Sequence, residues 1–123
     1  QYVVEPVGTI NGCLGDQLTI TMTIAPEPVV SPSLDAAVCS DNAIGLVLNT
    51  NGTSIGALNY DIVSRTVQGG LNPISEVGAP ALGVPAAYLQ NDIYNNPGAL
   101  PLTVTYEVRA TGTVAGCQSD IET

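Results

Sequence analysis

The chain has 123 residues, 45% of them hydrophobic, so it can bury the core of one domain of ordinary size but not of two. It has no Lys and no His, two Arg against eleven acids, and a net charge of −9. Such a surface repels nucleic acid and anionic membranes and favours solubility with weak self-association. Phe and Trp are absent, leaving Val, Ile, Leu, Ala and Tyr for the core, and thirteen Gly with nine Pro interrupt the chain too often for long helices.

In chain order, the first strand is expected at 1–6. Gln1 reads as the middle of a strand, which suggests a fragment or processed product of something longer. The second, at 17–25, alternates Leu18, Ile20, Met22 and Ile24 with Thr19, Thr21 and Thr23, a period of two with an apolar face. Pro26-Glu27-Pro28 is a stiff connector. A third strand is expected at 43–49, where Ile44, Leu46 and Leu48 alternate before the turn Asn49-Thr50-Asn51-Gly52. A fourth is expected at 58–67. Gln68–Pro85 is rich in Gly and Pro and reads as loop, with at most one short strand. Strands at 87–94 and 101–109 close the series, the last alternating Leu102, Val104, Tyr106 and Val108 with Thr103, Thr105 and Glu107. No window has a helical period, and no stretch approaches the roughly 20 apolar residues that span a bilayer.

The two ends of the chain are alike. Gln1–Thr19 and Thr105–Thr123 align without a gap at a shift of 104 residues, the spacing of Cys13 from Cys117. Identical pairs are Tyr2/Tyr106, Val4/Val108, Gly8/Gly112, Thr9/Thr113, Gly12/Gly116, Cys13/Cys117, Asp16/Asp120 and Thr19/Thr123. Eight of nineteen positions match, where residue usage gives roughly one or two by chance. The expected organisation is a tandem repeat with a period of about 104 residues. Residues 1–27 hold the C-terminal hairpin of one copy plus the connector, and 28–123 hold the next copy without its last strand. That period suits one immunoglobulin-like sandwich and is too long for solenoid or propeller units.

The order of these signals resembles a family. Pro26-Glu27-Pro28 leads to Ala37-Val38-Cys39-Ser40-Asp41, an alternating strand and a Tyr-bearing strand around Tyr60. Leu89-Gln90-Asn91, Thr103-Val104-Thr105-Tyr106-Glu107-Val108 and Gly116-Cys117 follow. This pattern resembles the PKD-like and immunoglobulin-like repeats of very large cell-surface proteins of the Bacteroidetes, among them the SprB-type gliding-motility adhesins exported by type IX secretion. The chain has Cys-Ser-Asp where that family usually has Cys-Ser-Gly. The resemblance implies an all-β, immunoglobulin/PKD-like β-sandwich in an extended string of domains at the cell surface or beyond it. Its partners would be neighbouring repeats or filament subunits.

Catalysis has little to build on. Without His there is no Ser-His-Asp or Cys-His arrangement, and without Lys there is neither a Schiff base nor a phosphate-binding loop. The acids are scattered singly, with no Trp or Phe to carry a sugar. Three cysteines in such a chain suggest disulfides. If each repeat has an early and a late Cys, Cys39 pairs with Cys117 and Cys13 belongs to a preceding copy. In a plain immunoglobulin topology those positions lie at opposite poles, so a bond between neighbouring repeats, or none, is the open alternative. Asp35, Asp41, Asp16 and Asp120, with Glu27 in the connector, are candidate Ca²⁺ ligands against the plainer reading of solvated turns. Asn51-Gly52-Thr53 fits a glycosylation sequon.

The expected function is that of a mechanical spacer in surface adhesion or gliding. The alternative is a module that binds glycan or protein through the 68–85 loop. The tandem reading further requires few contacts between 1–25 and 29–123, with Val4, Leu18, Ile20 and Ile24 covered from outside. If strand 17–25 instead folded back onto 101–109, the chain would be a self-complemented domain.

Overall fold

The structure, a computed structural model, describes residues 1–123. It is all-β, with no helix and three small sheets, consistent with a β-sandwich. Its spine is the pairing of the two longest strands, β3 (Ala57–Val67) and β7 (Val104–Gly112). Both are rich in β-branched and aromatic residues, which suit a pleated surface. They run antiparallel from Ala57↔Gly112 to Val67↔Val104, and β5 (Ala81–Val84) pairs on the far side of β3. A bulge in β5 opposite Asp61, with Gly83 at φ 65, is fixed by that side chain, whose Oδ1 accepts from Gly83 N at 2.8 Å.

A second layer faces this sheet. β4 (Asn72–Ser75) pairs with β6 (Ile93–Asn95), and Ala43 bridges to Ile93 on the other side. Between the layers lie Val30, Leu48, Tyr60, Ile62, Val84, Leu89, Val108 and Ala110. The N-terminal edge is closed where Val29–Ser31 runs beside 49–51. Ser31 N donates to Asn49 O at 3.0 Å and Asn51 N to Val29 O at 2.9 Å.

Residues 1–25 form a separate hairpin in which β1 (Tyr2–Val4) pairs with β2 (Leu18–Ile20). No hydrogen bond joins it to 29–123. β2 does not fold back onto β7, so the chain is not self-complemented. The hairpin's apolar residues are bare: Leu18 is 61% exposed, Met22 64% and Ile24 83%. The whole chain exposes 7988 Å², against about 6,200 Å² for a compact globule of its mass.

The hairpin and the end of the chain share one hydrogen-bond pattern. Val4↔Leu18 and Val7↔Leu14 recur as Val108↔Glu122 and Thr111↔Gln118. Gly8 N donates to Cys13 O at 2.8 Å, and Gly112 N to Cys117 O at 2.7 Å. Gly15 N→Pro6 O recurs as Ser119 N→Ala110 O. The turns match as well, with left-handed φ at Asn11 and Gly12 and again at Ala115 and Gly116. Each of these pairs is related by the shift seen in the sequence.

Several expected strands are shorter or displaced. The strand at 43–49 is not a regular ladder, because Gly45 sits at φ 68 and breaks the extended run. The segment still lies along 86–94 through Ile44 N→Asp92 O, Gly45 N→Gln90 O and Leu48 N→Ala86 O. The strand at 87–94 is mostly successive tight turns, Tyr88 N→Pro85 O, Gln90 N→Ala87 O and Asp92 N→Leu89 O, and only Ile93–Asn95 is extended. The strand at 17–25 has ladder partners only to Ile20. The segment 68–85, expected as loop, carries both β4 and β5.

With so small a core, single truncations weigh heavily. Ile62→Ala, at a fully buried position, is expected to lower unfolding free energy in urea by about 2–5 kcal/mol. Ile24→Ala, on the bare hairpin, should change it by less than about 0.5 kcal/mol.

Candidate functional site

β7 has two edges and only one is fully used. On the free side, Val108 exchanges hydrogen bonds with Glu122 at 2.8 and 2.9 Å, and Ala110 and Gly112 pair with 117–119. The antiparallel alternation turns the N–H and C=O of Tyr106 and Val104 towards this same side. Neither residue has a main-chain partner on that side within 1–123. Alongside opens a groove of about 1040 Å³, mostly apolar, walled by Leu34, Ile44, Leu46, Leu102, Val104 and Tyr106.

A polar network stiffens the groove from behind. Asp92 is fully buried, and its Oδ1 accepts from Val77 N at 2.9 Å and its Oδ2 from Tyr106 Oη at 2.7 Å. The hydroxyls of Tyr94 and Tyr106 lie 3.2 Å apart. Arg65 donates to Val77 O and pairs with Glu76 at 2.9 Å, fixing the same loop from β3. Burial, reinforced by hydrogen bonds to Tyr94 and Asp92 and by the Asp92 charge, pushes the Tyr106 phenol far above its ordinary 10.0. Tyr94 is raised as well, chiefly by burial. A buried carboxylate with two donors holds its neighbours in fixed orientations. Nothing in Asn91-Asp92 marks it in the sequence, where it falls within the strand expected at 87–94.

The residues singled out from the sequence are dispersed. The expected Cys39–Cys117 bond is not formed, and all three cysteines are free. Cys39 lines the groove near Asn96 and Leu100, whereas Cys117 backs onto Gly112 at the other end of β7. That strand spans about 26 Å, and a disulfide needs Cα atoms within about 7 Å. The candidate Ca²⁺ ligands do not converge either, and no three Cys, Asp or Glu side chains come together as a metal site. Asp16 is exposed on the separate hairpin and Asp35 lies at the groove rim. Asp41 accepts from Ser40 and Asn95. It occupies φ 67, a left-handed position that Asp tolerates and where the resembled family has Gly. Asp120 shares a cleft of about 40 Å³ with Glu27 and Glu122 at the connector. The 68–85 segment contributes only Leu71 to the groove. Asn51 of the sequon uses its Oδ1 to accept from Thr53 N and Ser54 N.

Comparison with protein-family models, curated proteins and solved structures yields no match.

Because the folded-state pKa of Tyr106 is raised, the fold favours the neutral phenol. That stability is fully present below the ordinary value of 10.0 and is lost as pH rises above it. Urea midpoints should therefore hold steady to about pH 9 and fall beyond about pH 10. Tyr106→Phe should flatten that alkaline slope. At neutral pH it should cost about 1–3 kcal/mol, because Asp92 loses a donor while still buried.

Proposed function

We propose that this chain is a structural module of a long extracellular adhesin or filament. It would be an immunoglobulin/PKD-like repeat of about 104 residues, acting as a mechanical spacer in surface adhesion or gliding. The observation that carries this reading is the shared register of the two hairpins, 1–25 and 105–123, down to individual hydrogen bonds and left-handed turn residues. The short Pro-rich connector and the bare apolar hairpin further support a chain of like units. The acidic, Lys-free composition and the resemblance to Bacteroidetes surface repeats support an extracellular setting. With Cys39 and Cys117 at opposite ends of β7, any disulfide they take part in joins neighbouring copies. The binding-module reading through 68–85 has less support, since that segment is engaged in β4 and β5.

The spacer reading is tested by concatenating residues 20–123 two, three and four times and measuring solution scattering. A string of sandwiches should lengthen by about 35–40 Å per unit, the reach of its long strands. A maximum dimension that grows only as the cube root of mass would show a compact assembly and overturn the reading.

A further inference from the structure

We propose that Cys39 forms a disulfide with the Cys117 of the copy that follows it in the same polypeptide, one covalent staple at each junction between repeats. The proposal rests on the repeat reading above, in which a further copy of residues 20–123 continues the chain from Thr123.

Each end of the sandwich carries one of the two thiols. Cys117 lies at the end where the connector enters. A Cβ on Gly112 would stand 3.1 Å from Pro28 Cδ and 3.3 Å from Cys117 O, so connector and cysteine meet around this glycine. Cys39 lies at the opposite end. Its neighbour Ser40 accepts through Oγ from Asn96 N at 2.9 Å, and Asn96 Nδ2 donates to Leu100 O at 2.9 Å. Leu100 adjoins Leu102, which is about 33 Å from Gly112 along an extended strand. Cys39 is exposed, Cys117 is half-buried, and both are free.

The path of the chain brings the two ends of successive copies together. The return segment runs from Cys117 back along β7, with Gln118 opposite Thr111 and Glu122 opposite Val108. In the hairpin that ladder goes on until Ile20 faces Tyr2, the counterpart of Tyr106. Four residues more, still extended, carry the chain out of a copy at its Leu102 end, where Cys39 sits. From the counterpart of Ile24 to that of Pro28 the backbone reaches at most about 14 Å, and the two prolines stiffen it. The entry end of the next copy, with its own Pro28 and Cys117, therefore lies against the end that holds Cys39.

Every other pairing is too far apart. Cys39 and Cys117 of one copy are separated by the length of β7, and like cysteines of successive copies by a whole sandwich. A disulfide needs Cα atoms within about 7 Å. Each junction thus holds one Cys39 and one Cys117. Cys13 is the counterpart of Cys117 in the preceding copy, so its partner is a Cys39 further back. The rule accounts for three cysteines that find no partner within 1–123.

The bond forms by exchange with a disulfide-bearing oxidant, protein or small molecule. The Cys39 thiolate attacks one sulfur of the oxidant and displaces the other as a thiolate. The Cys117 thiolate of the next copy then attacks the Cys39 sulfur and displaces the first. One S–S bond is broken and one is made; the oxidant leaves as two thiols, carrying both electrons and both protons.

The test uses a tandem chain, 1–123 followed by 20–123, with Cys13→Ser. It is treated with oxidised glutathione, blocked with an alkylating agent and cleaved after Arg65 and Arg109 of each copy. Cys39 of the first copy then lies in the first peptide and Cys117 of the second in the last. The other two cysteines share one middle peptide. The expected product is a monomer in which the first peptide is bonded to the last and the middle peptide keeps both thiols. Cys39→Ser in the first copy should abolish that bond. Scattering on the same sample separates the two readings. A tandem about 35–40 Å longer than the single chain, but with first and last peptides unjoined, leaves the repeat reading standing and overturns the staple. A tandem no longer than the single chain overturns the repeat reading, and the staple with it.

Discussion

The β3–β7 ladder is the constraint on which everything else in the chain depends. It is the longest continuous pairing, and it supplies Tyr60, Ile62, Val108 and Ala110, half of the buried cluster. Val30, Leu48, Val84 and Leu89 are buried because they are laid across it. A strand can serve two neighbours, and β7 spends its second side on its own return segment only as far as Val108. The remaining stretch, Val104 to Tyr106, combines unused main-chain groups with a mostly apolar groove, the combination that sheet proteins ordinarily hide.

The Asp92 network bears on the same edge. A buried carboxylate is costly to leave unpaired, yet here both oxygens are engaged, one from the loop before β5 and one from Tyr106. Tyr106 is thereby held in one orientation at the point where the free edge begins. Its raised pKa reflects the same confinement, since burial next to Asp92 opposes a second negative charge. An apolar side chain at Tyr106 could fill the volume, but it would leave the groove wall free to shift against β6.

The fold class was legible in the sequence and its details only partly so. Period-two alternation located β7 three residues early, at 101–109 against Val104–Gly112, and the strand expected at 58–67 matches β3 to within one residue. It overextended 43–49, where the side-chain pattern is right but Gly45 takes a left-handed φ that the pattern does not record. In 87–94 the apolar residues are buried by successive turns, so burial without extension mimics a strand. β4 and β5 were hidden by Pro73 and Gly83, residues that ordinarily mark loops. The hairpin repeat was legible because Gly12 and Gly116 are needed for the same left-handed turn. Asp92 and the groove were not, because each is created by segments distant in sequence meeting around β7. The cysteines show the limit from the other side. Their spacing suggested one bond, and the length of β7 separates them.

The position of the chain's ends decides how such a unit carries load under the tandem reading. The connector enters beside Gly112 and the last segment runs back along β7 towards Val104, so force applied through a string of copies acts along the strands. Hydrogen bonds between antiparallel strands lie across that direction. They are therefore loaded together in shear, not opened one after another.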